Sequence, residues 1–410
     1  MNIIVHKYGG SSVANPERIQ RAAKRVAKEF KKGNSVVVVV SALGDTTDDL
    51  IDLAAKITKN PSRREMDMLL STGEQISTSL MAMALHELKV DAISFTGFQV
   101  GIKTDSSHTR ARIIGIDSER IRTQLKNRRV VIVAGFQGVD EVQDITTLGR
   151  GGSDLTAVAL AQSLGAKRCE IYTDVDGIYT ADPRIIKNAV KIRKISYEEM
   201  LELASTGAQV MQARSIELAG KFDVPLHVRS SMNDKEGTWI VKGDKSMEKV
   251  LVRGVSVSKN EAKVTLRNVM DKPGIAGRIF RALAAANINV DMIIQNISHS
   301  SKMTDISFTV TKEDLNEAVR AIQNLKPKVD LDDLITDRDI AKVSIVGVGM
   351  RSHSGVAADM FEVLGSNKIN IEMISTSEIK ISVVVNQKDA DRAVKVLHDH
   401  FIQSEKYATV

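Results

Sequence analysis

The sequence predicts an α/β protein: a mainly parallel sheet sandwiched by helices, followed by two small α+β modules. Three observations carry this expectation. Over roughly the first 240 residues, β-branched apolar runs alternate with amphipathic stretches, the pattern of a sheet with helices on both faces. From about 232 a polar, glycine-containing stretch, "MNDKEGTWIVKGDKSMEK", breaks that texture. Beyond it lies an internal repeat. "PGIAGRIFRALAAANINVDMI" (273–293) matches "SGVAADMFEVLGSNKINIEMI" (354–374) at a constant offset. The identical pairs are Gly274/Gly355, Ala276/Ala357, Phe280/Phe361, Leu283/Leu364, Ile288/Ile369, Asn289/Asn370, Met292/Met373 and Ile293/Ile374.

The elements follow in order. "NSVVVVVSA" (34–42), "VDAISF" (90–95), "RVVIVAGF" (129–136), "RCEIYTD" (168–174) and "VPLHVRSS" (224–231) read as buried strands. In 16–30, Ile19, Ala22, Ala23, Val26, Ala27 and Phe30 share one helical face, with Asn15 as N-cap and Pro16 in the first turn. Further helices are expected over 64–88, 154–164, 197–204 and 208–222. Each repeat unit reads as strand, turn, helix, then a strand pair and a helix.

Composition narrows the function. Its 410 residues, 43% of them hydrophobic, suffice for more than one buried core. The single cysteine, Cys169, excludes an internal disulfide framework and suits a reducing cytoplasm. The N-terminus "MNIIVHKYGG" reads as lacking a secretory signal, and the longest apolar run, "VVVVV", is far too short to span a membrane. A net charge of +6 dispersed along helices, with 4% aromatics, argues against nucleic acid and fits anionic small molecules.

Three turns at the carboxyl ends of expected strands carry chemistry, because open α/β sheets place their ligand crevices there. In the first, Lys7-Tyr8-Gly9-Gly10-Ser11-Ser12, paired glycines fit either a plain turn or a phosphate cradle with Lys7 as a point charge. In the second, "TLGRGGSDLTAVALA" (147–161), Ser153 is expected to cap a helix beginning near Asp154. There Gly151 and Gly152 expose amides, and Arg150 offers a two-pronged anion binder. The third, "YTDVDGIYTADPR" (172–184), sets Asp174, Asp176 and Asp182 around Tyr179. Such carboxylates are turn formers, or ligands for Mg²⁺ through water or for a nucleotide sugar. Together these are the parts of phosphoryl transfer, which is mostly positioning and charge neutralisation. None of the eight histidines lies in these turns, and His6, beside Lys7 on a strand, should face the other way. A carboxylate acceptor needs no base, since an acid of pKa about 4 is already ionised at neutral pH.

At these motifs, and at "STGEQIS" (71–77) and "VPLHVRSS" (224–231), the chain resembles the aspartate kinases, an amino-acid kinase domain followed by two ACT domains. The resemblance covers essentially the whole chain. It implies a catalytic domain over 1–243, a first ACT domain (βαββαβ) over 262–335, and a second formed by 250–261 with 340–410. It implies ATP and Mg²⁺, with Lys7, Gly9, Gly10 and Ser11 at the phosphates and Asp154 organising Lys7. Thr173 and Asp174 are implied at the nucleotide and its Mg²⁺, with Tyr179, Asp182 and Arg184 nearer the nucleoside. For L-aspartate it implies Glu74 on the ammonium and Arg150 on a carboxylate, with Gly151 and Gly152 beside them and Ser41, Thr46 and Ser153 as short hydrogen-bonding groups. Read alone, Thr72-Gly73-Glu74 favours a helix irregularity with an exposed acid. Some relatives carry a nucleotide-reaching lysine where this chain has Gln209.

In the ACT pair the resemblance implies an amino-acid effector site for lysine, threonine or both. It is carried by Asp271, Gly274, Ile275, Ala276, Asn289, Val290, Asp291 and Gln295 and shared across a subunit interface of a homodimer or larger assembly. The second repeat reads "SHSG" (352–355), without the proline. A kinase for glutamate or N-acetylglutamate is disfavoured by Glu74 and the ACT pair, and a non-catalytic amino-acid sensor by the intact Lys7, Asp154 and Asp174.

Overall fold

A run of valines buried on both sides requires a strand covered on both faces, and Ser35–Val40, buried throughout, is such a strand. The computed structural model describes residues 1–207, 210–243, 251–296, 303–325, 332–353 and 355–403. It divides into two units: Met1–Tyr179, Val190–Ser205 and Gln209–Met247 in one, Thr180–Ala189, Thr206–Ala208 and Glu248–Val410 in the other. Gln209 lies outside the described residues, as does Ser354 of the second repeat's turn.

The first unit opens with β1 (Ile3–Tyr8), α1 (Pro16–Lys31), β2 (Ser35–Val40), α2 (Thr46–Ile57), α3 (Arg63–Glu87) and β3 (Ala92–Phe95). Next come β4 (Ile102–Thr104), β5 (Ile113–Ile116), α4 (Glu119–Lys126), β6 (Val130–Ala134), β7 (Gln137–Val139) and β8 (Ile145–Thr147). It closes with α5 (Gly152–Leu164), β9 (Arg168–Thr173), β10 (Lys194–Ser196), α6 (Tyr197–Ser205), α7 (Ala213–Phe222), β11 (Leu226–Ser230) and β12 (Thr238–Val241).

Eight strands form one sheet in the order β10-β12-β11-β9-β1-β2-β6-β3, parallel except where β11 meets β12. The amphipathic α1, capped by Asn15 accepting from the Arg18 N–H at 2.9 Å, buries Ile19, Ala23 and Val26 against Val36, Val38 and Val40 together with Met81 and Leu85 of α3. On the other face α5 packs on β1, β2 and β9. It is buried almost all round and has no polar stripe. A second sheet, β5-β4-β7-β8, the helices α2 and α4 and the strand β10 are not expected from the sequence, and β12 pairs into the main sheet from within the stretch read as a boundary; these strands run to only three or four residues, and α2 buries none of its own. The helix expected over 208–222 begins at Ala213. Gln212 stays extended there, because its backbone N–H is drawn to Asp154 Oδ2 at 3.4 Å.

The second unit comprises β13 (Gly254–Met270), α8 (Ile275–Ala285), β14 (Ile293–Gln295), β15 (Met303–Thr311), α9 (Leu315–Gln323) and β16 (Asp333–Val346), then α10 (Val356–Ser366), β17 (Met373–Thr376), β18 (Lys380–Asn386) and α11 (Ala390–Phe401). One antiparallel sheet, β14-β15-β13-β16-β18-β17, runs through both repeats. The identities of the repeat now have reasons. Leu283 and Leu364 are buried in separate cores, one with Val264 and Phe308, the other with Val343 and Phe401. Gly274 and Gly355 are the N-caps of α8 and α10, in left-handed conformations (φ +90° and +101°) that a side chain would strain. Met292 and Met373 meet in one small cluster. Lysines cross between repeats reciprocally, Lys342 to Asp291 and Lys263 to Glu372. Thr180–Ala189 joins this unit: Ala181 and Ile186 enter the second core, and Thr180 Oγ1 is hydrogen-bonded to the buried His398 at 2.9 Å.

Leu283→Ala and Leu364→Ala, at equivalent positions of the two halves, should each destabilise this unit by about 2–5 kcal/mol, the usual cost of a leucine-sized core cavity. Calorimetry should show a lowered melting temperature for each. Wild-type stability in either variant would mean that its half lacks a packed core.

Candidate active site

The carboxyl ends of β1, β2 and β9 stand side by side, with Lys7 level with Val39 and Ile171. Strand alternation sends Lys7 to the α5 face and His6 to the opposite one. His6 is fully buried there, 3.3 Å from Glu170, and desolvation lowers its pKa; it faces away from Lys7, as strand alternation predicts. Lys7 Nζ lies 2.6 Å from Asp154 Oδ1, with side-chain exposures of only 12% and 8%. Gly9 donates its N–H to Tyr172 O at 3.2 Å. A Cβ on Gly10 would lie 3.0 and 3.1 Å from the Gly44 and Ala42 carbonyl oxygens. Only bare backbone fits so close, and Ser11 completes the turn.

The second turn is an arch from Leu148 to Gly152. Gly149 and Gly151 are left-handed (φ +80° and +73°), and Gly151 is the N-cap of α5. The helix thus starts at Gly152, two residues before Asp154, and Ser153 lies within its first turn rather than capping it. The left-handed glycine brings the chain into the helix early, with no side-chain cap. The positive end of α5 therefore stands beside Lys7. Arg150, at the crown of the arch, is 90% exposed and 3.2 Å from Asp48 of α2.

Glu74 is 3% exposed, not an exposed acid. Gly73 allows this: a Cβ there would lie 2.8 Å from the Ala42 side chain, so α3 presses directly on the loop after β2. Glu74 Oε1 accepts from the Ala42 N–H at 3.2 Å, while Oε2 is buried without a hydrogen-bond partner among the described residues. Burial pushes its carboxyl up to about 8.

A cleft of about 460 Å³ brings together Lys7, Gly10, Ser41, Glu74, Arg150, Gly151, Gly152 and Ser153. Thr46 spends its hydroxyl on Leu43 O at 2.6 Å, and Thr47 lines the cleft in its neighbourhood. The sequence reading missed Thr47, Asp48, Thr109 and Thr147 in this lining. It also missed Asp67, fully buried, which accepts from Thr147 Oγ1 and the Thr109 N–H and pairs with His108 at 2.7 Å. Nothing in its sequence context distinguishes Asp67 from a surface helix acid.

At the third turn, Thr173 Oγ1 donates to Asp174 Oδ1 at 3.0 Å, and Asp174 is exposed. Its remaining oxygen positions suit a hydrated divalent cation carried by a nucleotide. Asp176 is tied to Asn233 at 2.7 Å, and Tyr179 is half-buried. Asp182 and Arg184 belong to the second unit and pair at 2.7 Å, which holds the Asp182 carboxyl below its usual range.

In the second unit a cavity of about 320 Å³ is lined by Asp271, Gly274, Ile275, Ala276 and Gln295, with Thr304 and Ile306 as its floor. Asn289 is exposed elsewhere, Val290 packs on the first repeat's core, and Asp291 is held by Lys342, which also lies 3.2 Å from Glu261.

Comparison with known proteins adds to this geometry. Residues 2–230 match the amino acid kinase family, and residues 266–325 and 343–401 match an ACT domain. The chain is 52% identical over 402 residues to an aspartate kinase of Stutzerimonas stutzeri, covering 98% of this chain and 97% of that one. It is 51% identical to an aspartokinase of Pseudomonas aeruginosa, with 98% of each covered. Among solved structures, E. coli aspartokinase III in complex with aspartate and ADP is similar at a TM-score of 0.83 and 27% identity, over 97% of this chain and 99% of that one. The same enzyme in complex with lysine and aspartate gives 0.76 at 27% identity, over 98% and 100%.

Glu74 has a measurable signature. Its carboxyl titrates near 8 when folded, against an ordinary 4.5, so folding requires proton uptake between those values. Stability is full below about 4.5 and falls as pH rises towards 8, by a few kcal/mol in all. Glu74→Gln, which cannot ionise, should match wild type near pH 4 and become progressively the more stable protein up to pH 8 in urea melts. A difference that stays constant with pH would place Glu74 in water.

Proposed function

The chain belongs to the amino acid kinase family, as an aspartate kinase with two ACT domains, and on that premise we propose that it transfers the γ-phosphoryl group of ATP to the β-carboxylate of L-aspartate. The products are 4-phospho-L-aspartate and ADP, in a reaction that opens the route to lysine, threonine and methionine. The observation that carries this reading is the Lys7–Asp154 pair, 2.6 Å apart at the positive end of α5 in a cleft that also holds the buried Glu74.

Aspartate enters with its ammonium on Glu74, whose unpartnered Oε2 gains the hydrogen bond it lacks. Binding the ammonium favours the ionised carboxylate. Arg150 receives the α-carboxylate with two parallel N–H donors of its guanidinium, while Ser41, Thr47 and Ser153 offer short hydrogen bonds from the cleft wall. The β-carboxylate, ionised at neutral pH, then faces Lys7 and needs no base. The ATP phosphates lie over the Gly9-Gly10-Ser11 turn, where a Cβ on Gly9 would lie 3.4 Å from the Lys7 ammonium and crowd it. Asp174, beside Thr173, would hold the Mg²⁺ carried by the nucleotide, which supplies further charge neutralisation at the phosphates. Tyr179 offers its ring to the nucleoside.

Attack is in line: the carboxylate oxygen forms a bond to phosphorus as the bond to the ADP oxygen breaks. Two anions must meet, and the new negative charge appears on the departing phosphate. Lys7 and the amino end of α5 are fixed beforehand where that charge grows, so little reorganisation is needed. Asp154 aims Lys7 without contacting the phosphates. An amino-acid effector, lysine, threonine or both, occupies the cavity at Asp271 and Gln295. The protein works in the cytoplasm as an oligomer built through its ACT domains.

Lys7→Ala should lower kcat at least about 10²-fold by removing a charge from the transferred group. It also strands a buried carboxylate, which destabilises the fold. Lys7→Ala with Asp154→Asn should regain much of that stability and none of the turnover. Near-wild-type kcat in either protein would leave the opening turn without a catalytic role.

Asp271→Ala and Gln295→Ala should each relieve end-product inhibition, shifting half-inhibition by roughly 5–150-fold, while uninhibited kcat stays within about threefold. Inhibition assays with lysine, threonine and methionine, singly and in pairs, provide the check. Full inhibition of both variants would remove the effector from this cavity.

A further inference from the structure

Arg150 presents a problem of placement. Its side chain is 90% exposed and pairs with the exposed Asp48, so burial cannot hold it where a substrate carboxylate would meet it. The residue sits between two left-handed glycines, Gly149 and Gly151, the least restrained backbone available. Something else must fix the arch.

We infer that Gln212 and Arg214, at the entry to α7, are positioning residues that hold the Arg150 arch in its substrate-receiving shape. The inference rests on the assignment of Arg150 to the aspartate carboxylate made above. Gln212 Nε2 donates to the Arg150 carbonyl at 2.7 Å. Its side-chain carbons fill the space above Gly151, where a Cβ would lie 2.8 Å away. Arg214 forks between two segments: one Nη donates to Leu148 O at 2.9 Å and the other to Ala111 O at 3.1 Å. Alternate carbonyls of the arch, those of Leu148 and Arg150, are thus both anchored from α7. The Gln212 backbone N–H reaches Asp154 Oδ2 at 3.4 Å, so the same residue touches the arch and the carboxylate that aims Lys7. Ser215 Oγ donates to Gln212 O at 2.6 Å and fixes Gln212 in turn.

A planar guanidinium can satisfy two carbonyls of different segments at once, and a lysine ammonium cannot reproduce that fork. Without these donors the carbonyls would turn to water, and the glycines would let the arch relax. Even a displacement of about 1 Å in a substrate-positioning group can cost 10²-fold in rate.

Steady-state kinetics on the full-length protein test this. Gln212→Ala and Arg214→Ala should each raise the KM for aspartate about tenfold or more, while the KM for ATP stays within about twofold. Because the effect runs through Arg150, Gln212→Ala should add less than about twofold in an Arg150→Ala background. Millimolar ethylguanidinium should lower the KM for aspartate of Arg214→Ala and leave wild type unchanged, and Arg214→Lys should not restore it. Should Arg214→Ala fail to fold, the Gln212 cycle decides, since that truncation strands no charge. Unchanged KM for aspartate in Gln212→Ala, or full additivity with Arg150→Ala, would overturn the inference and leave the reaction assignment standing. An Arg150→Ala protein with wild-type KM for aspartate would instead remove Arg150 from the substrate and the inference with it.

Discussion

The arrangement depends on a single charge pair. Lys7 and Asp154 approach to 2.6 Å with little solvent around them, and neither can leave without stranding the other. A strand and a helix must therefore stay in fixed register. β1 is held on both edges by parallel partners, β2 and β9, and α5 packs across those three strands with almost no exposed residue. A long, flexible lysine thus becomes a charge at a fixed point. The same packing directs the amino end of α5 at that point, so two positive features converge where a phosphoryl group would carry its charge.

The glycines make sense in this light. Gly10 lies against the Ala42 and Gly44 carbonyls, Gly73 lets α3 press on Ala42, and Gly151 turns the chain into α5 early. Each allows an approach that a Cβ would forbid, and together they bring Lys7, Glu74 and the Arg150 arch around one cleft. Glu74 illustrates the cost: its carboxyl is buried deeply enough to resist ionisation near neutrality.

Much of this was legible in the sequence, for identifiable reasons. The valine run of β2, the Asn15-Pro16 start of α1 and the repeat pairs Leu283/Leu364 and Gly274/Gly355 are local patterns with one physical reading, and the structure follows them. Of the expected site residues, Lys7, Gly10, Ser41, Glu74 and the stretch from Arg150 to Ser153 line one cleft, while Gly9, Ser11, Thr46, Thr173 and Asp174 are not in its lining. What escaped was non-local. The strands β4, β7 and β8 are too short to show a period, and α2 buries no residue to mark a face. Ser153 looked like a helix cap because nothing in the sequence reveals that Gly151 is left-handed. Asp67, buried beneath the Thr109–Thr147 wall, has hydrogen-bond partners about 40 and 80 residues away, beyond the reach of any local pattern. The docking of Thr180–Ala189 into the core around Val343 and Phe401 is of the same kind.

The most direct test of the central claim is a crystal structure with ADP, aluminium fluoride and L-aspartate bound. The account places the Lys7 ammonium within hydrogen-bonding distance of the fluoride group that mimics the transferred phosphoryl. Asp154 still contacts Lys7 from behind, and Glu74 lies against the substrate ammonium. A structure in which the fluoride group lies away from Lys7, with Lys7 engaging only Asp154, would contradict it.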